Sequence, residues 1–226
     1  MFLALMLFFQ GVMPAFSTPE KVVYVIPIEG MIDKGLANFV ERVYREADKQ
    51  GVNWVILEID TPGGLIEEAK RIRKIIDQSK TPTIAYVTGG AISAGALPAL
   101  TSPELIMAPG ATMGAAEPRL GESKAEEKVV SYWAGELAGA AEKNGRRADI
   151  ARAMADTDIE IPGLVEKGKL LTLTAKQAQE YEMIDGILAS RSEVLKTYGL
   201  EQAKLFELAP NFTEKVARWA TNPYIS

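Results

Sequence analysis

The chain has 226 residues, a formal net charge of −5, 47% hydrophobic residues and 24% charged residues, a composition typical of one globular domain. Its acidity and the lack of a basic run argue against nucleic acid as a main partner. Cysteine and histidine are absent, which excludes disulfides, thiolate or histidine zinc sites and a Ser-His-Asp triad. A serine hydrolase made from these residues would need a lysine or a less usual group as its base.

The first 16 residues, MFLALMLFFQGVMPAF, are almost wholly apolar. They are too short to span a membrane comfortably, and small residues that suit a cleavage site follow them. We therefore predict an export signal or a membrane-proximal segment over residues 1–18, with a buried core helix as the alternative. The sequence contains no apolar stretch of 18 residues, the length that indicates a membrane-spanning helix.

Strands and helices are predicted to alternate along most of the chain, since short β-branched runs and apolar residues at helical spacing follow one another. The predicted strands are 21–28, 54–59, 82–87, 105–108, 170–173 and 187–188. The predicted helices are 35–49, 66–78, a short one after Ser93, 128–144, 148–155, 175–182 and 192–198. This order predicts an α/β fold of parallel units with right-handed crossovers. The polar stretch 117–127 predicts a mobile loop.

The last part of the chain, residues 209–226, is predicted to be an amphipathic segment. One side of its helix would carry Phe212, Val216, Trp219 and Ala220. Trp and Tyr beside a lysine and an arginine suit a membrane interface, and a plain surface helix fits the composition equally well.

Two glycine-containing turns follow the second and third predicted strands. Residues 60–64 read DTPGG, and residues 89–96 read GGAISAGA. The carboxyl ends of parallel strands meet at one edge of a sheet, where ligands bind, so we expect the two turns to face each other. Ser93 lies between the third strand and a helix, the position of a nucleophilic serine. A helix cap is the ordinary alternative for such a serine.

The same two turns predict an oxyanion hole. The N–H groups of Gly64 and Ala94 would converge on one carbonyl oxygen, each donor stabilising the oxyanion by roughly 3–4 kcal/mol. An extended substrate would add to the edge of the sheet by main-chain pairing near Gly63 and Leu65.

Four segments together resemble a known superfamily. They are DTPGG at 60–64, SAGA at 93–96, APGATMGAA at 108–116 and LTLTAKQAQEYEMIDGI at 171–187. In this order they resemble the Clp protease/crotonase superfamily, and within it the serine protease domain of NfeD-type membrane proteins, relatives of signal peptide peptidase A. The resemblance covers residues 20–208. It implies a spiral of β-β-α units, a Ser-Lys dyad, and neither a metal nor a cofactor.

The lysine of the dyad has three candidates, Lys124, Lys128 and Lys143. A lysine is a general base only when neutral, so the pKa of such a lysine has to fall from about 10.4 toward 7. Lys128 opens the predicted helix KVVSYWAGEL, whose apolar residues would surround it and whose positive end would disfavour a second positive charge. The NfeD pattern, with a lysine a few residues before an aromatic pair, also selects Lys128. Glutamates around Lys124 would hold that lysine charged.

The resemblance implies a serine endopeptidase that cleaves hydrophobic segments of a stomatin-like membrane protein. Ser93 would be the nucleophile and Lys128 the general base, and the loop before Lys128 suggests that the dyad assembles only when substrate or a partner binds. We expect a homodimer or larger homo-oligomer. Membrane segments would follow Ser226, and the catalytic domain would lie outside the cytoplasm.

Two other functions are compatible with this sequence. An acyl-CoA hydratase or isomerase would use the same fold and oxyanion hole, but it needs paired carboxylates, and only Glu117 is expected near the crevice. A non-catalytic scaffold for membrane-protein assembly would need neither Ser93 nor Lys128.

Overall fold

The computed structural model describes residues 20–121 and 123–220, which form ten strands and eight helices. The strands are β1 (Val22–Ile32), β2 (Trp54–Gly64), β3 (Thr83–Ile92), β4 (Glu104–Met107), β5 (Thr112–Gly114), β6 (Arg119–Leu120), β7 (Ser123–Lys124), β8 (Thr172–Thr174), β9 (Gly186–Ile187) and β10 (Lys204–Glu207). The helices are α1 (Lys34–Gln50), α2 (Ile66–Gln78), α3 (Ala96–Thr101), α4 (Glu127–Lys143), α5 (Ala148–Ala153), α6 (Ala175–Glu180), α7 (Arg191–Thr197) and α8 (Phe212–Ala220).

Every strand and helix that the sequence predicts between residues 21 and 198 is present, with some ends shifted. The predicted export signal, residues 1–18, and the last six residues of the predicted C-terminal segment lie outside the described residues. None of the helices within the described ranges is long and apolar enough to cross a membrane.

A mostly parallel sheet, of eight strands within the described residues, forms the centre of the fold. Six strands run parallel in the order β10-β1-β2-β3-β4-β9. The first half of β3 pairs with β4, and its second half pairs with β5, which also pairs antiparallel with β8. Strand β3 therefore belongs both to the six-stranded parallel part of the sheet and to the smaller group formed with β5 and β8. Its carboxyl end lies where the two groups meet.

Strands β2 and β3 extend beyond their predicted ends, into the glycine turns. The third strand is predicted to end at residue 87, before the glycine-containing turn at 89–96. This end is wrong, because β3 continues to Ile92 and Gly90 pairs with Thr112 of β5. The pairing of β2 with β3 changes register after Ile59. Beyond this irregularity, β2 continues to Gly64 and β3 continues to Ile92, with a local bend of the kind that a β-bulge produces.

Two exposed elements are not predicted by the sequence. Strands β6 and β7 form an antiparallel hairpin inside the stretch 117–127, which is predicted as a loop. Strand β10 pairs with β1 at the edge of the sheet. All residues of these three strands are exposed, so none of them has the buried apolar pattern by which strands are recognised.

Helix α1 shows how local sequence sets the ends of an element and the face that it buries. The Asp33 carboxylate accepts a hydrogen bond from the Leu36 N–H at 2.8 Å and caps the first turn. Gly51 ends the helix in the left-handed conformation with φ of +66°, which glycine adopts without steric cost. The helix buries side chains at helical spacing in the core, among them Leu36, Phe39, Val40, Val43 and Ala47. Full burial stabilises the fold by about 1.5–3 kcal/mol for each large apolar side chain.

Helix α8 packs on α1 through its polar side. Glu214 is 5% exposed, and its carboxylate accepts hydrogen bonds from the Arg42 guanidinium at 2.7 and 3.0 Å and from the Asn211 N–H at 2.7 Å. A Cβ on Gly35 would lie 2.4 Å from the Glu214 carbonyl oxygen, so the two helices touch backbone to backbone. The apolar residues of α8 are exposed instead: Phe212 at 79%, Val216 at 45% and Trp219 at 63%.

The ion pair between Arg42 and Glu214 makes the stability of this packing depend on pH. Burial disfavours the charged form of Glu214, but hydrogen bonds from the Arg42 side chain and the Asn211 N–H outweigh burial and hold the pKa of Glu214 below its usual value of 4.5. A carboxylate whose pKa is lowered by folding stabilises the protein above its unfolded-state pKa. This contribution is lost as the pH falls through the lower folded-state value.

Arg42→Ala is expected to lower the free energy of unfolding at pH 7 by about 1–3 kcal/mol, because a buried carboxylate loses its charged partner. The loss should be smaller at pH 3.5, where the unpaired carboxyl group of the variant is protonated. Urea denaturation at both pH values measures the loss in the free energy of unfolding. Arg45→Ala, which truncates an exposed arginine of the same helix, is the control and should change stability within about 0.5 kcal/mol. Equal losses in the two variants would contradict a stabilising role of the ion pair.

Candidate active site

Ser93 lies at the end of β3 in a strained backbone conformation. Its φ is +54°, and among the described residues only Ala115 and Glu182 are other non-glycine residues with positive φ. Ser93 also opens a 3-10 turn, residues 93–95, that leads into α3. Strain of this kind is typical of functional sites, and a serine at a sharp strand-to-helix turn projects its hydroxyl out of the sheet.

The two glycine turns meet at Ser93. A Cβ added to Gly63 would lie 2.5 Å from the Ser93 Cβ and 3.0 Å from the Ser93 Oγ, and Gly63 has a φ of +106°. Both the space and the backbone conformation therefore require glycine at position 63. The prediction that the turns face each other is confirmed.

Side chains of β2 hold the two turns in place. The buried Thr61 hydroxyl accepts a hydrogen bond from the Gly63 N–H at 3.0 Å and donates one to the Gly30 carbonyl at 2.5 Å. The Asp60 carboxylate accepts a hydrogen bond from the Gly90 N–H of β3 at 3.0 Å. The Thr61 methyl group would lie 2.5 Å from a Cβ on Gly95, so the turn that carries Ser93 packs directly on β2.

Ser93 opens into a cavity of about 450 Å³. The cavity is lined by Gly64 at the end of β2 with Leu65 and Ile66 after it, by residues 115–119 after β5, and by Ser93, Trp133 and Leu170. The lining is largely apolar, with Glu117 and Arg119 as its charged members. This cavity is called the serine cavity below.

The part of the cavity wall formed by Ala115 and Ala116 is fixed by hydrogen bonds to distant elements. The Ala115 N–H donates to the Leu171 carbonyl at 2.8 Å, and the Ala116 N–H donates to the Met154 carbonyl at 2.7 Å. The Trp133 indole N–H donates to the Ala116 carbonyl at 2.8 Å. The positive φ of Ala115, +48°, is therefore held by bonds on both sides of that residue.

The structure brings together five of the six residues predicted for the site. Gly64 and Leu65 line the serine cavity with Ser93, Gly63 contacts the Ser93 side chain, and Ala94 follows Ser93 in the 3-10 turn. The roles assigned to Gly64 and Ala94 as oxyanion donors and to Gly63 and Leu65 as substrate contacts stay predictions.

Lys128, the sixth residue, does not line the serine cavity. Its side chain is 80% exposed, and its ammonium group lies 2.8 Å from the Glu126 carboxylate. The expected apolar surroundings are absent, because α4 turns Val130 and Trp133 into the core. Lys128 precedes Val130 by two residues, about 200° around the helix, so it faces solvent. Its role as general base stays a prediction.

The two rival lysines have other partners. The Lys124 ammonium lies 3.7 Å from the Glu117 carboxylate and donates to the Thr157 hydroxyl at 3.1 Å. Since Glu117 lines the serine cavity, Lys124 lies beside the cavity wall. The Lys143 ammonium donates to the Asp77 carboxylate at 2.7 Å, at the last turn of α4.

Several cavity residues are not identified from the sequence. They include Ala115, which has a positive φ, and Trp133. Leu170 also lines the cavity, although it lies 77 positions after Ser93 in a segment predicted only as a strand. The helical spacing of Trp133 with its neighbours indicates burial but does not indicate which cavity it borders. Glu117 is expected near the crevice, and this prediction is confirmed.

A family model described as the NfeD1b N-terminal domain matches residues 22–208. The chain belongs to this family. It is 40% identical over 217 residues to the membrane protein NfeD1b of Bacillus subtilis, a match covering 95% of this chain and 50% of the relative. It is 29% identical over 232 residues to the membrane-bound protease PH1510 of Pyrococcus horikoshii, covering 92% of this chain and 50% of that protein. The chain thus spans about half the length of both curated relatives.

Solved structures agree with the family assignment. The 1510-N membrane-bound stomatin-specific protease, as a lysine-to-alanine mutant in complex with a substrate peptide, superposes with a TM-score of 0.76 at 28% identity, covering 90% of this chain and 99% of that chain. A serine-to-alanine mutant of the same protease gives a TM-score of 0.73 at 28% identity, covering 86% of this chain and 100% of that chain. ClpP1 from Listeria monocytogenes, at 18% identity, gives 0.59 over 75% of this chain and 94% of its own. The expected Clp/crotonase-like fold is confirmed.

Gly63→Ala is expected to lower the free energy of unfolding by about 1–3 kcal/mol more than Gly110→Ala, because its new methyl group would overlap Ser93. Gly110 also has a positive φ, +85°, but a Cβ there meets no atom within 4 Å. Comparing the two variants therefore separates the steric cost at position 63 from the cost of placing alanine at a positive φ, which both variants share. Urea denaturation measures the difference. Equal losses would mean that the turns at Gly63 and Ser93 are not in contact in solution.

Proposed function

We propose that this domain is a serine endopeptidase with Ser93 as its nucleophile. The observation that carries the proposal is the position of Ser93, which has a positive φ, touches Gly63 and opens into the serine cavity. The similarity to a solved protease, at 28% identity over 90% of the chain, supports the same activity.

In the proposed mechanism, the Ser93 Oγ attacks the carbonyl carbon of a peptide bond, and its proton passes to the amine of Lys128. The N–H groups of Gly64 and Ala94 stabilise the oxyanion that forms. Lys128 then donates the proton to the leaving amine as the carbon–nitrogen bond breaks. In the second step water gives a proton to Lys128 and attacks the ester, and the proton returns to the Ser93 Oγ.

The mechanism requires Lys128 to move from its exposed position to Ser93. We propose that the β6–β7 hairpin and the first turn of α4 rearrange when substrate binds. All four strand residues of the hairpin are exposed, so few buried contacts oppose such a movement. The link from Lys124 to Glu117 and Thr157 would break or shift in the process.

The substrate is proposed to be a hydrophobic segment of a stomatin-like membrane protein. The apolar lining of the serine cavity favours apolar side chains, and Leu65, 49% exposed, contributes to that lining. The main-chain pairing predicted near Gly63 and Leu65 is not supported, because β2 lies inside the sheet and the Leu65 N–H already donates to the Ile32 carbonyl of β1 at 2.8 Å. The similar protease 1510-N is described as stomatin-specific.

The domain is further proposed to belong to a longer, membrane-bound protein, to lie outside the cytoplasm and to work as a homodimer or larger homo-oligomer. The curated relatives are named as membrane proteins, and the chain matches half of their length. The exposed apolar residues of α8 offer a surface for contact with lipid or with a second subunit.

One observation favours a second candidate function, a non-catalytic scaffold. Lys128 is 80% exposed and paired with Glu126, as an ordinary surface lysine would be. An acyl-CoA hydratase or isomerase is less well supported, since Glu117 is the one carboxylate-bearing residue among the described residues that line the serine cavity.

Ser93→Ala is expected to lower the cleavage rate of a hydrophobic peptide by a factor of about 10³ or more, because the nucleophile is lost. Lys128→Ala should lower it by a factor of about 10² or more, because the proton acceptor is lost. Peptide cleavage followed by mass spectrometry measures both, with circular dichroism as the test of folding. The Lys143→Ala variant, which changes a lysine at the far end of the same helix, should cleave the peptide at the wild-type rate.

Other results of this experiment would change the proposal. If Lys124→Ala abolished cleavage and Lys128→Ala did not, Lys124 would be the base. If wild type cut no peptide at any pH, with membrane partners present, the scaffold function would replace the protease function.

Amide hydrogen exchange of residues 117–130 is expected to be fast in the free protein and slower when a hydrophobic peptide is bound to the Ser93→Ala variant. The reason is that the exposed hairpin would open readily in the free protein and would be held in place once the dyad has assembled. Mass spectrometry of the exchanged protein measures it, with the buried strand β3 as an internal reference. Strong protection of this segment in the free protein would count against assembly on substrate binding.

A further inference from the structure

A second cavity adjoins the serine cavity. It has a volume of about 560 Å³ and is lined by residues 160–166 and 169–172 and by Gln177. Leu170 lines both cavities and is 38% exposed. The second cavity, called the distal cavity below, lies within the range of volumes that bind ligands.

One wall of the distal cavity is a closed backbone loop. The Ile161 N–H donates to the Val165 carbonyl at 2.9 Å, and the Val165 N–H donates back to the Ile161 carbonyl at 3.0 Å. Ile161 is 5% exposed and anchors the loop in the core. The Tyr181 hydroxyl donates to the Gly163 carbonyl at 3.3 Å. The loop is therefore shaped before any ligand binds, which lowers the entropic cost of binding.

The other wall is joined directly to the serine cavity. Leu171 accepts the hydrogen bond from the Ala115 N–H, and Ala115 lines the serine cavity beside Ser93. A Cβ on Gly114 would lie 2.5 Å from the Leu171 carbonyl oxygen, so the two segments are in close contact. The segment 169–172 thus borders the distal cavity while it holds the strained Ala115, which lines the serine cavity together with Ser93.

We propose that the distal cavity binds the part of an extended polypeptide that lies beyond the residues at Ser93, with Leu170 between the two binding regions. This inference rests on the proposed protease function. Its occupant is the substrate chain itself, because Leu170 lines both this cavity and the serine cavity that contains Ser93. The lining combines apolar residues such as Leu164, Val165 and Leu170 with the charged Glu160, Glu166 and Lys169, so the distal cavity suits a stretch of substrate that carries both apolar and polar side chains.

The continuity of the two cavities has a consequence for substrate length. An extended chain spans at most about 3.3–3.6 Å per residue, so a peptide of a few residues fills only the serine cavity. A peptide of ten or more residues reaches past Leu170. Longer peptides should therefore be cut with a higher kcat/KM than short peptides that contain the same cleaved bond.

The test compares two hydrophobic peptides of about four and about twelve residues that share the cleaved bond. Glu166→Trp places a bulky side chain in the distal cavity and should lower kcat/KM for the long peptide at least tenfold, leaving the short peptide near its wild-type value. Lys167→Trp is the matched control, because Lys167 is the adjacent residue, is 67% exposed and does not line the cavity. Glu166→Gln controls for the loss of charge. In both control variants, the ratio of kcat/KM for the long peptide to kcat/KM for the short peptide should equal the wild-type ratio.

Two results would overturn the inference while leaving the protease function intact. The first is a Glu166→Trp variant that keeps the wild-type ratio between long and short peptides. The second is a Lys167→Trp variant that loses the ratio to the same degree. Cleavage of the short peptide by Glu166→Trp shows that the variant is folded. If wild type cuts neither peptide, the protease function itself fails, and this inference fails with it.

Discussion

The ends of β2 and β3 approach so closely at Gly63 and Ser93 that no side chain fits between them. This contact requires glycine at positions 63 and 95, and a hydroxyl group at Thr61 to hold the Gly63 N–H. It also brings Ser93 to the mouth of the serine cavity with Gly64 and Leu65 beside it. The geometry proposed for acyl transfer depends on these two strand ends staying together.

Backbone strain is concentrated on the two sides of the same cavity. Ser93 and Ala115 both have positive φ without being glycine, an arrangement that costs of order 1–3 kcal/mol at each residue. Hydrogen bonds on both sides hold these two backbone conformations. Strand β3 pairs with β5, and the Leu171 carbonyl accepts a hydrogen bond from the Ala115 N–H. Because Leu171 also borders the distal cavity, the support of the serine cavity and the wall of the distal cavity are one segment.

Helices α8 and α4 leave side chains in solvent for different reasons: polar contacts orient α8, and burial of apolar residues orients α4. In α8 the ion pair of Glu214 with Arg42 and the contact with Gly35 outweigh the burial of Phe212 and Trp219, which stay exposed. In α4 the core takes Val130 and Trp133, and Lys128 is left in solvent. These exposed side chains are the ones on which the proposed rearrangement at α4 and the proposed contact of α8 with lipid or a second subunit depend.

The sequence by itself determined the order of the buried elements, the meeting of two glycine turns and the position of Ser93, because apolar periodicity and glycine are local signals. It did not predict the exposed strand β10, the exposed hairpin or the continuation of β3 through Gly90. Only the tertiary structure decided that Leu170 and Trp133 border the serine cavity, that α8 packs through Glu214, and that Lys128 faces solvent. These outcomes depend on contacts between residues far apart in the chain, which no local pattern encodes.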